Sequence, residues 1–195
     1  GYAGGEREQL RLLKGIILGA DSDGGRAALK ELIQTGKNRE AMGIALQLLA
    51  RAPGREADLL EFLKVIISRT EPHPLLGQMY YIRSQIAMKD PAMMAMAERD
   101  ARILLEQFPG LSEITNVYRL LAYAALERQP PQYRAAADFL IQLRDQSTDS
   151  RELVEPNRLI GDCYFLNRDY ANAVDFYSAA RSRELGGSRD GGLFL

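Results

Sequence analysis

Few side chains of this chain could carry out acid–base or nucleophilic chemistry, and they do not form a recognisable set. His73 is the only histidine and lies between two prolines. A general base needs a fixed position and a partner that orients it, and the sequence indicates neither, so we interpret His73 as a loop residue. Cys163 is the only cysteine. Because no histidine accompanies it as an activating base, we interpret it as a small packing residue. The sequence therefore predicts no catalytic residue.

Two further patterns have the residue types of ligand-binding loops. The segment Asp21–Gly24 could open a calcium-binding loop, but the later ligands and the closing glutamate are absent. Helix capping by its polar side chains is the favoured interpretation. The glycine pairs at 4–5, 24–25, 186–187 and 191–192 follow no predicted strand, so they do not form a phosphate-binding loop. We predict no metal ion and no cofactor.

Length and composition are those of a folded protein. The chain has 195 residues, of which 46% are hydrophobic and 26% charged, enough for one domain or one short solenoid. Its net charge is −1, whereas a protein that neutralises nucleic-acid phosphates usually has a basic excess. No apolar run approaches the ~20 residues that a membrane-spanning helix needs. Nucleic acid is therefore not predicted as a partner, and no membrane span is predicted.

Apolar residues recur with the helical period along almost the whole chain, and strand-like alternation is nearly absent. Prolines and capping residues, such as Pro53, Pro109, Ser22 and Gly36, separate the periodic segments. The pattern predicts an all-α fold of ten helices at about 5–19, 23–35, 38–51, 55–69, 74–89, 91–107, 112–128, 131–145, 151–166 and 169–183.

The clearest repeated unit covers residues 157–180. Its first helix has an apolar residue and a glycine followed by an aromatic residue one turn later, and its second helix has an alanine–aromatic–alanine spacing. The residues are Ile160, Gly161, Tyr164, Ala173, Tyr177 and Ala180. This unit resembles a tetratricopeptide repeat (TPR), in which the small residues let two helices approach and the aromatic residues fill the space beside them. Asn157 stands where the motif has its opening aromatic residue.

The same frame recurs upstream. Its small-residue position falls on Ser84, Ala122 and Gly161, which are 38 and 39 residues apart, somewhat more than the ~34 residues of a plain TPR. The resemblance implies a right-handed α-α superhelix, a TPR-like solenoid of about ten antiparallel helices. The predicted segments are a capping helix at 1–21, repeats at 22–54, 74–110, 111–149 and 150–185, an extra helix or junction at 55–73, and a tail or the start of a further helix at 186–195.

The extra helix interrupts the alternation of first and second helices. Leu29 and Ser84, which occupy the same frame position in successive units, are 55 residues apart. Either this helix has lost its partner, or the solenoid has a junction there.

TPR solenoids bind peptides or helices in a concave groove lined by the first helix of each repeat. Carried over from the motif, the groove positions predict a partner-binding set that consists of Arg119, Tyr123, Arg158, Asp162, Phe165, Tyr81, Gln85, Arg26 and Lys30. Arginine and aromatic residues are common in binding hot spots. The alternative interpretation for the arginines is an exposed, solvated helix face.

The favoured function is a protein-interaction scaffold or adaptor that binds a peptide or helix of another protein. The alternative is a self-associating structural solenoid, a segment of a larger cell-envelope assembly protein, and the third is an accessory domain of an enzyme. A weaker resemblance, to TPR proteins of bacterial outer-membrane assembly, implies the periplasm or cell envelope rather than the cytoplasm. Because the chain starts with Gly1 and ends in Leu193-Phe194-Leu195, we expect the natural protein to continue.

Overall fold

The computed structural model describes residues 2–146 and 153–189, and this part of the chain is all-α. It contains ten α-helices and no strand. The predicted all-α fold is confirmed, and consecutive helices pack on one another as they do in a helical solenoid. The chain divides into two compact units at Asp90 and Pro91.

The first unit, residues 1–90, holds five helices: α1 (Tyr2–Leu18), α2 (Asp23–Thr35), α3 (Arg39–Arg51), α4 (Glu56–Ile67) and α5 (Leu76–Ala87). Each helix packs on the next, and α1 also contacts α3.

The second unit, residues 91–195, holds the other five helices among its described residues: α6 (Met94–Gln107), α7 (Ile114–Leu126), α8 (Tyr133–Asp145), α9 (Val154–Leu166) and α10 (Tyr170–Arg189). A short 3-10 helix, Pro91–Met93, precedes α6, so the helix predicted at 91–107 begins with a tighter turn. Here too each helix packs on the next along the chain.

The start of α2 shows how local sequence sets a helix boundary. Ser22 is the N-cap, and its hydroxyl oxygen accepts the backbone N–H of Gly25 at 3.0 Å. Such a bond satisfies one of the donors that a helix start leaves unpaired. Gly25 is required because a Cβ there would collide with the carbonyl oxygen of Gly19. The polar residues before α2 therefore serve as a helix cap, as their sequence indicated.

The extra helix is part of the core of the first unit. Its buried side chains Leu59, Phe62, Leu63 and Ile66 lie in one apolar cluster with residues of α2, α3 and α5. Because α4 is apolar around much of its circumference, it has to be covered on more than one side. The first unit supplies that cover.

In the second unit, α9 and α10 approach each other closely. A Cβ at Gly161 would lie 2.6 Å from Cε1 of Tyr177, so α9 and α10 touch at this point through glycine. Tyr164 stacks on Phe176 with 5.4 Å between ring centroids. Arginines of α8 lie over these two rings, Arg134 over Tyr164 at 5.2 Å and Arg144 over Phe176 at 5.5 Å. Aromatic and cation–π contacts thus join α8, α9 and α10.

The division between the two units falls inside the segment 74–110, which the sequence predicts as one repeat. α10 runs to Arg189, so it continues past the predicted helix end at 183 and includes residues 186–189 of the predicted tail. Residues 147–150, between the helices predicted at 131–145 and 151–166, and the last residues of the predicted tail, 190–195, lie outside the described residues. Within 2–146 and 153–189, no helix combines the length and the apolar character that crossing a bilayer requires.

Candidate functional site

A pocket with a volume of about 370 Å³ lies between α7 and α9 in the second unit. We call it the α7–α9 pocket. Its lining is predominantly aliphatic, with two charged side chains, and consists of Arg119, Ala122, Tyr123 and Leu126 of α7, Leu140 of α8, and Leu159, Asp162, Cys163 and Leu166 of α9. Its volume is within the range of small-ligand and anchor pockets.

Three of the residues predicted to bind a partner, Arg119, Tyr123 and Asp162, line this pocket together. Arg119 is exposed, and its described polar contact is a long one of 3.5 Å from Nη1 to the amide oxygen of Asn116. Asp162, across the pocket, accepts a hydrogen bond of 2.6 Å from the hydroxyl of Tyr177. This bond, together with burial, raises the pKa of Tyr177 to about 12, so the phenol stays a donor at neutral pH.

Tyr123 and Cys163 set the polarity of the pocket wall. Tyr123 is exposed, and the negative charge of Glu127, the C-cap residue of α7, raises the pKa of its phenol. Cys163 is buried, and burial, followed by the charge of Asp162, raises the pKa of its thiol to about 11. A thiol with such a pKa is neutral at physiological pH. It serves as part of an apolar wall, and its reactivity as a nucleophile is low.

The structure places the other two residues predicted in this unit outside the pocket lining. Arg158 of α9 forms an ion pair with Glu184 of α10, with 2.6 Å between Nη2 and Oε1. Phe165 is exposed and meets Tyr170 edge-to-face, with ring centroids 5.5 Å apart. Both side chains therefore contact residues of α10.

In the first unit, Arg26 and Lys30 are paired with the extra helix. Lys30 Nζ lies 2.7 Å from Asp58 Oδ1 and 5.3 Å from the ring centroid of Phe62. Arg26 Nε lies 3.3 Å from Asp58 Oδ2. Two of the residues predicted to bind a partner thus pair with side chains of α4. Tyr81 and Gln85 lie on α5, half-buried and exposed respectively.

His73 also has a packing role. Its Nδ1 accepts the backbone N–H of Leu75 at 3.1 Å, and its Nε2 lies 2.8 Å from the carbonyl oxygen of Ile33. Because Nδ1 is an acceptor, we assign the proton to Nε2, which donates to Ile33. The histidine thereby fastens the connector before α5 to α2. Residues 2–146 and 153–189 contain no group of His, Cys, Asp and Glu that could hold a metal ion.

Sequence reasoning did not assign Leu159 and Leu166 to the groove, although both line it. The spacing of these two leucines in the sequence could have indicated it. Leu159 and Leu166 are seven residues apart on a helix whose buried side is formed by Ile160, Cys163 and Tyr164. Leucines that flank the buried side of such a helix form a partly exposed apolar stripe, and a stripe of this kind indicates a surface that another segment can cover.

No family model, no curated protein and no solved structure matches this chain.

Proposed function

We propose that this chain is a protein-interaction scaffold that binds a peptide or helix of another protein in the α7–α9 pocket. The observation that carries the proposal is the pocket itself, an apolar concavity between two exposed helix faces. Apolar pockets with a few polar groups at the edge are typical of sites that receive one or two anchoring side chains.

The packing of the second unit supports the assignment to TPR-like proteins. Gly161 fits against Tyr177, and Ala173 and Ala180 are buried where the motif has its small residues. In such repeats the pocket between successive first helices is where partners bind, and α7 and α9 are the two helices that the sequence predicts in that role. The resemblance to these repeats therefore also supports the α7–α9 pocket as the binding surface.

The proposed function is binding without catalysis. The only histidine holds a connector in place through two backbone contacts, and burial keeps the only cysteine neutral. His73 and Cys163, which we considered as a base and a nucleophile, therefore have packing roles, and this favours a binding protein over an accessory domain of an enzyme.

The test replaces an apolar pocket residue by a charge. We expect Leu159→Asp to abolish capture of partner proteins from an extract of the source organism, because a carboxylate in the pocket would be desolvated by an anchoring side chain. The captured proteins would be identified by mass spectrometry against the wild-type chain.

Val174→Asp is the matched control. Leu159 is 41% exposed and Val174 60% exposed, both on helices of the second unit, but Val174 lies outside the pocket lining. A partner that is lost with Leu159→Asp and kept with Val174→Asp supports the pocket as the binding site. If every captured protein binds both variants as it binds wild type, the proposal is wrong.

A second candidate function is self-association, and the observation that favours it is on α1. One side of this helix packs on α2, where a Cβ at Gly15 would collide with Leu29. The opposite side exposes Leu10, Leu13, Ile16 and Ile17, an apolar stripe at helical spacing. Such a stripe is a suitable surface for a second copy of the chain, as in a structural solenoid segment of an envelope assembly.

Light scattering over a concentration series tests this candidate. A mass that rises with concentration in the wild type and stays monomeric in a Leu13→Asp/Ile17→Asp variant would support self-association through α1. A monomeric wild-type mass at every concentration would overturn it. Leu159→Asp, measured alongside, separates association through α1 from association through the α7–α9 pocket.

A further inference from the structure

The α7–α9 pocket also indicates which chemistry its partner has, an inference that rests on the proposed function. The wall of the pocket is aliphatic apart from the edge, and the thiol of Cys163 adds no charge to it. A charged or strongly polar side chain placed against the aliphatic wall would lose hydration without gaining a partner. The anchoring side chain is therefore apolar.

The two charged residues that line the pocket, Asp162 and Arg119, differ in their hydrogen bonding. Asp162 already accepts the hydroxyl of Tyr177 at 2.6 Å, which offsets part of the cost of covering its charge. Arg119 is in a different situation. A guanidinium has five N–H donors, and the described contact of Arg119 is the 3.5 Å one to the neutral amide of Asn116. Among residues 2–146 and 153–189, no carboxylate lies within ion-pair distance of Arg119.

Other arginines at comparable positions do have carboxylate partners. Arg158, on the helix across the pocket, pairs with Glu184 at 2.6 Å, and Arg26 pairs with Asp58 in the first unit. A partner that covers the pocket would cover Arg119 as well, and covering an unpaired guanidinium is unfavourable unless the partner supplies an acceptor. A carboxylate matches the planar donor pair of arginine best.

We propose that the partner is an acidic peptide segment, in which an aliphatic or aromatic side chain fills the α7–α9 pocket and an Asp or Glu carboxylate pairs with Arg119. The carboxylate belongs to a side chain near the anchor, and the pairing sets the direction in which the segment lies along α7. Arg119 is thus the residue that selects for charge, and the aliphatic wall selects for the anchor.

The test is selection from a phage-displayed library of random linear peptides against the wild-type chain and against Arg119→Glu. We expect peptides selected on the wild type to carry Asp or Glu at a fixed spacing from an apolar residue. On Arg119→Glu we expect the same position to be enriched in Lys or Arg. Selection against Leu159→Asp, in parallel, measures which peptides depend on the pocket.

Binding of one selected peptide then gives the size of the effect. With a fluorescently labelled peptide, anisotropy titration should show affinity about ten- to a hundredfold weaker after Arg119→Ala, the range of a hydrogen-bonded charge pair. Replacing the peptide's acidic residue by alanine should weaken binding to the wild type equally and have no further effect on Arg119→Ala. Circular dichroism of each variant checks that it is folded.

The outcomes separate this inference from the proposed function. Peptides that require Leu159 but show no acidic preference, with equal binding to Arg119→Glu, would overturn the acidic partner and leave the pocket as a binding site. A library in which no peptide depends on Leu159 would overturn both. If unlabelled wild-type chain displaced the labelled peptide at concentrations at which Leu159→Asp did not, the occupant would be a second copy, and the acidic partner would be wrong.

Discussion

The two units use similar residues on exposed helix faces in different ways. In the first unit, Arg26 and Lys30 of α2 meet Asp58 of α4, with 2.7 Å between Lys30 Nζ and the carboxylate. In the second unit, Arg119 and Tyr123 of α7 border the α7–α9 pocket and have no such partner on α9.

The difference comes from the helix that lies opposite. α4 presents a carboxylate and the ring of Phe62, which pair with the cation of Lys30. α9 presents Leu159 and Leu166, and its own carboxylate, Asp162, accepts the hydroxyl of Tyr177 and forms no ion pair with Arg119. The same residue types therefore act as structural contacts in one unit and as candidate binding groups in the other.

The largest expected effect tests whether α4 is a structural part of the first unit. Leu63 of α4 is fully buried, at 0% exposure, in the core that α2, α3 and α5 share. We expect Leu63→Ala to lower the free energy of unfolding by about 2–5 kcal/mol, because it removes buried contacts and leaves a cavity. Urea unfolding followed by circular dichroism measures this change.

Val65→Ala is the control on the same helix. Val65 is 55% exposed, so its replacement should change the free energy of unfolding by less than about 0.5 kcal/mol. Equal, small effects of the two substitutions would mean that α4 is not held in the core, and the contrast between the two units would then fail.

The close approach in the second unit provides the next test. Gly161→Ala places a methyl group 2.6 Å from the ring of Tyr177, and we expect a loss of about 1–3 kcal/mol, the range for an overpacked core. Gly43→Ala on α3, where a Cβ would have no neighbour within 4 Å, should instead stabilise the chain by about 0.5–1 kcal/mol. A Gly161→Ala variant as stable as the wild type would remove the support that this contact gives to a TPR-like repeat.

Much of the fold was predictable because helix periodicity and capping are local signals. Apart from the C-terminal end of α10, the ten helices lie close to where the apolar spacing predicted them, and Ser22 caps α2 as its position before the periodic segment suggested. The contact between Gly161 and Tyr177 was predictable because the small and aromatic residues that make it lie within a single helix pair.

The site was predictable only in part, because a groove depends on what lies across it. Carrying motif positions over residue by residue identified Arg119, Tyr123 and Asp162, which line one pocket. The same procedure could not indicate that Asp58 would neutralise Lys30, since that pairing depends on where the extra helix packs. Long-range side-chain partners of this kind are set by tertiary structure rather than by local spacing.

A smaller effect, dependent on pH, comes from Glu8 of α1 in the first unit. Its carboxylate accepts the backbone N–H groups of Lys37 and Asn38, each at 2.9 Å. These bonds lower the pKa of Glu8 below its ordinary value of 4.5. A lowered folded-state pKa means that the ionised group stabilises the fold above pH 4.5 and that this contribution is lost as the pH falls through the folded pKa.

We therefore expect Glu8→Gln to be less stable than the wild type at pH 7, by about 1 kcal/mol for a charged acceptor replaced by a neutral one. The difference should shrink as the pH falls below 4.5. Thermal melts of both chains across this range measure it, and Glu6→Gln, at an exposed position of the same helix, is the control. A difference that stays constant with pH would show that the charge of Glu8 does not stabilise the turn before α3.

The smallest expected effect concerns the ion pair between Lys30 and Asp58 in the first unit. Lys30 and Asp58 are both partly exposed, so water screens their attraction, and we expect a coupling energy of about 0.2–1 kcal/mol from the double-mutant cycle of Lys30→Ala and Asp58→Ala. Adding salt should reduce the coupling. The same cycle for Arg119→Ala and Asp162→Ala should give a smaller coupling, because among residues 2–146 and 153–189 Arg119 forms no ion pair with a carboxylate. If the coupling energy of the second pair were as large as that of the first, Arg119 would already have an acidic partner. The proposed pairing of Arg119 with a carboxylate of the peptide would then be wrong.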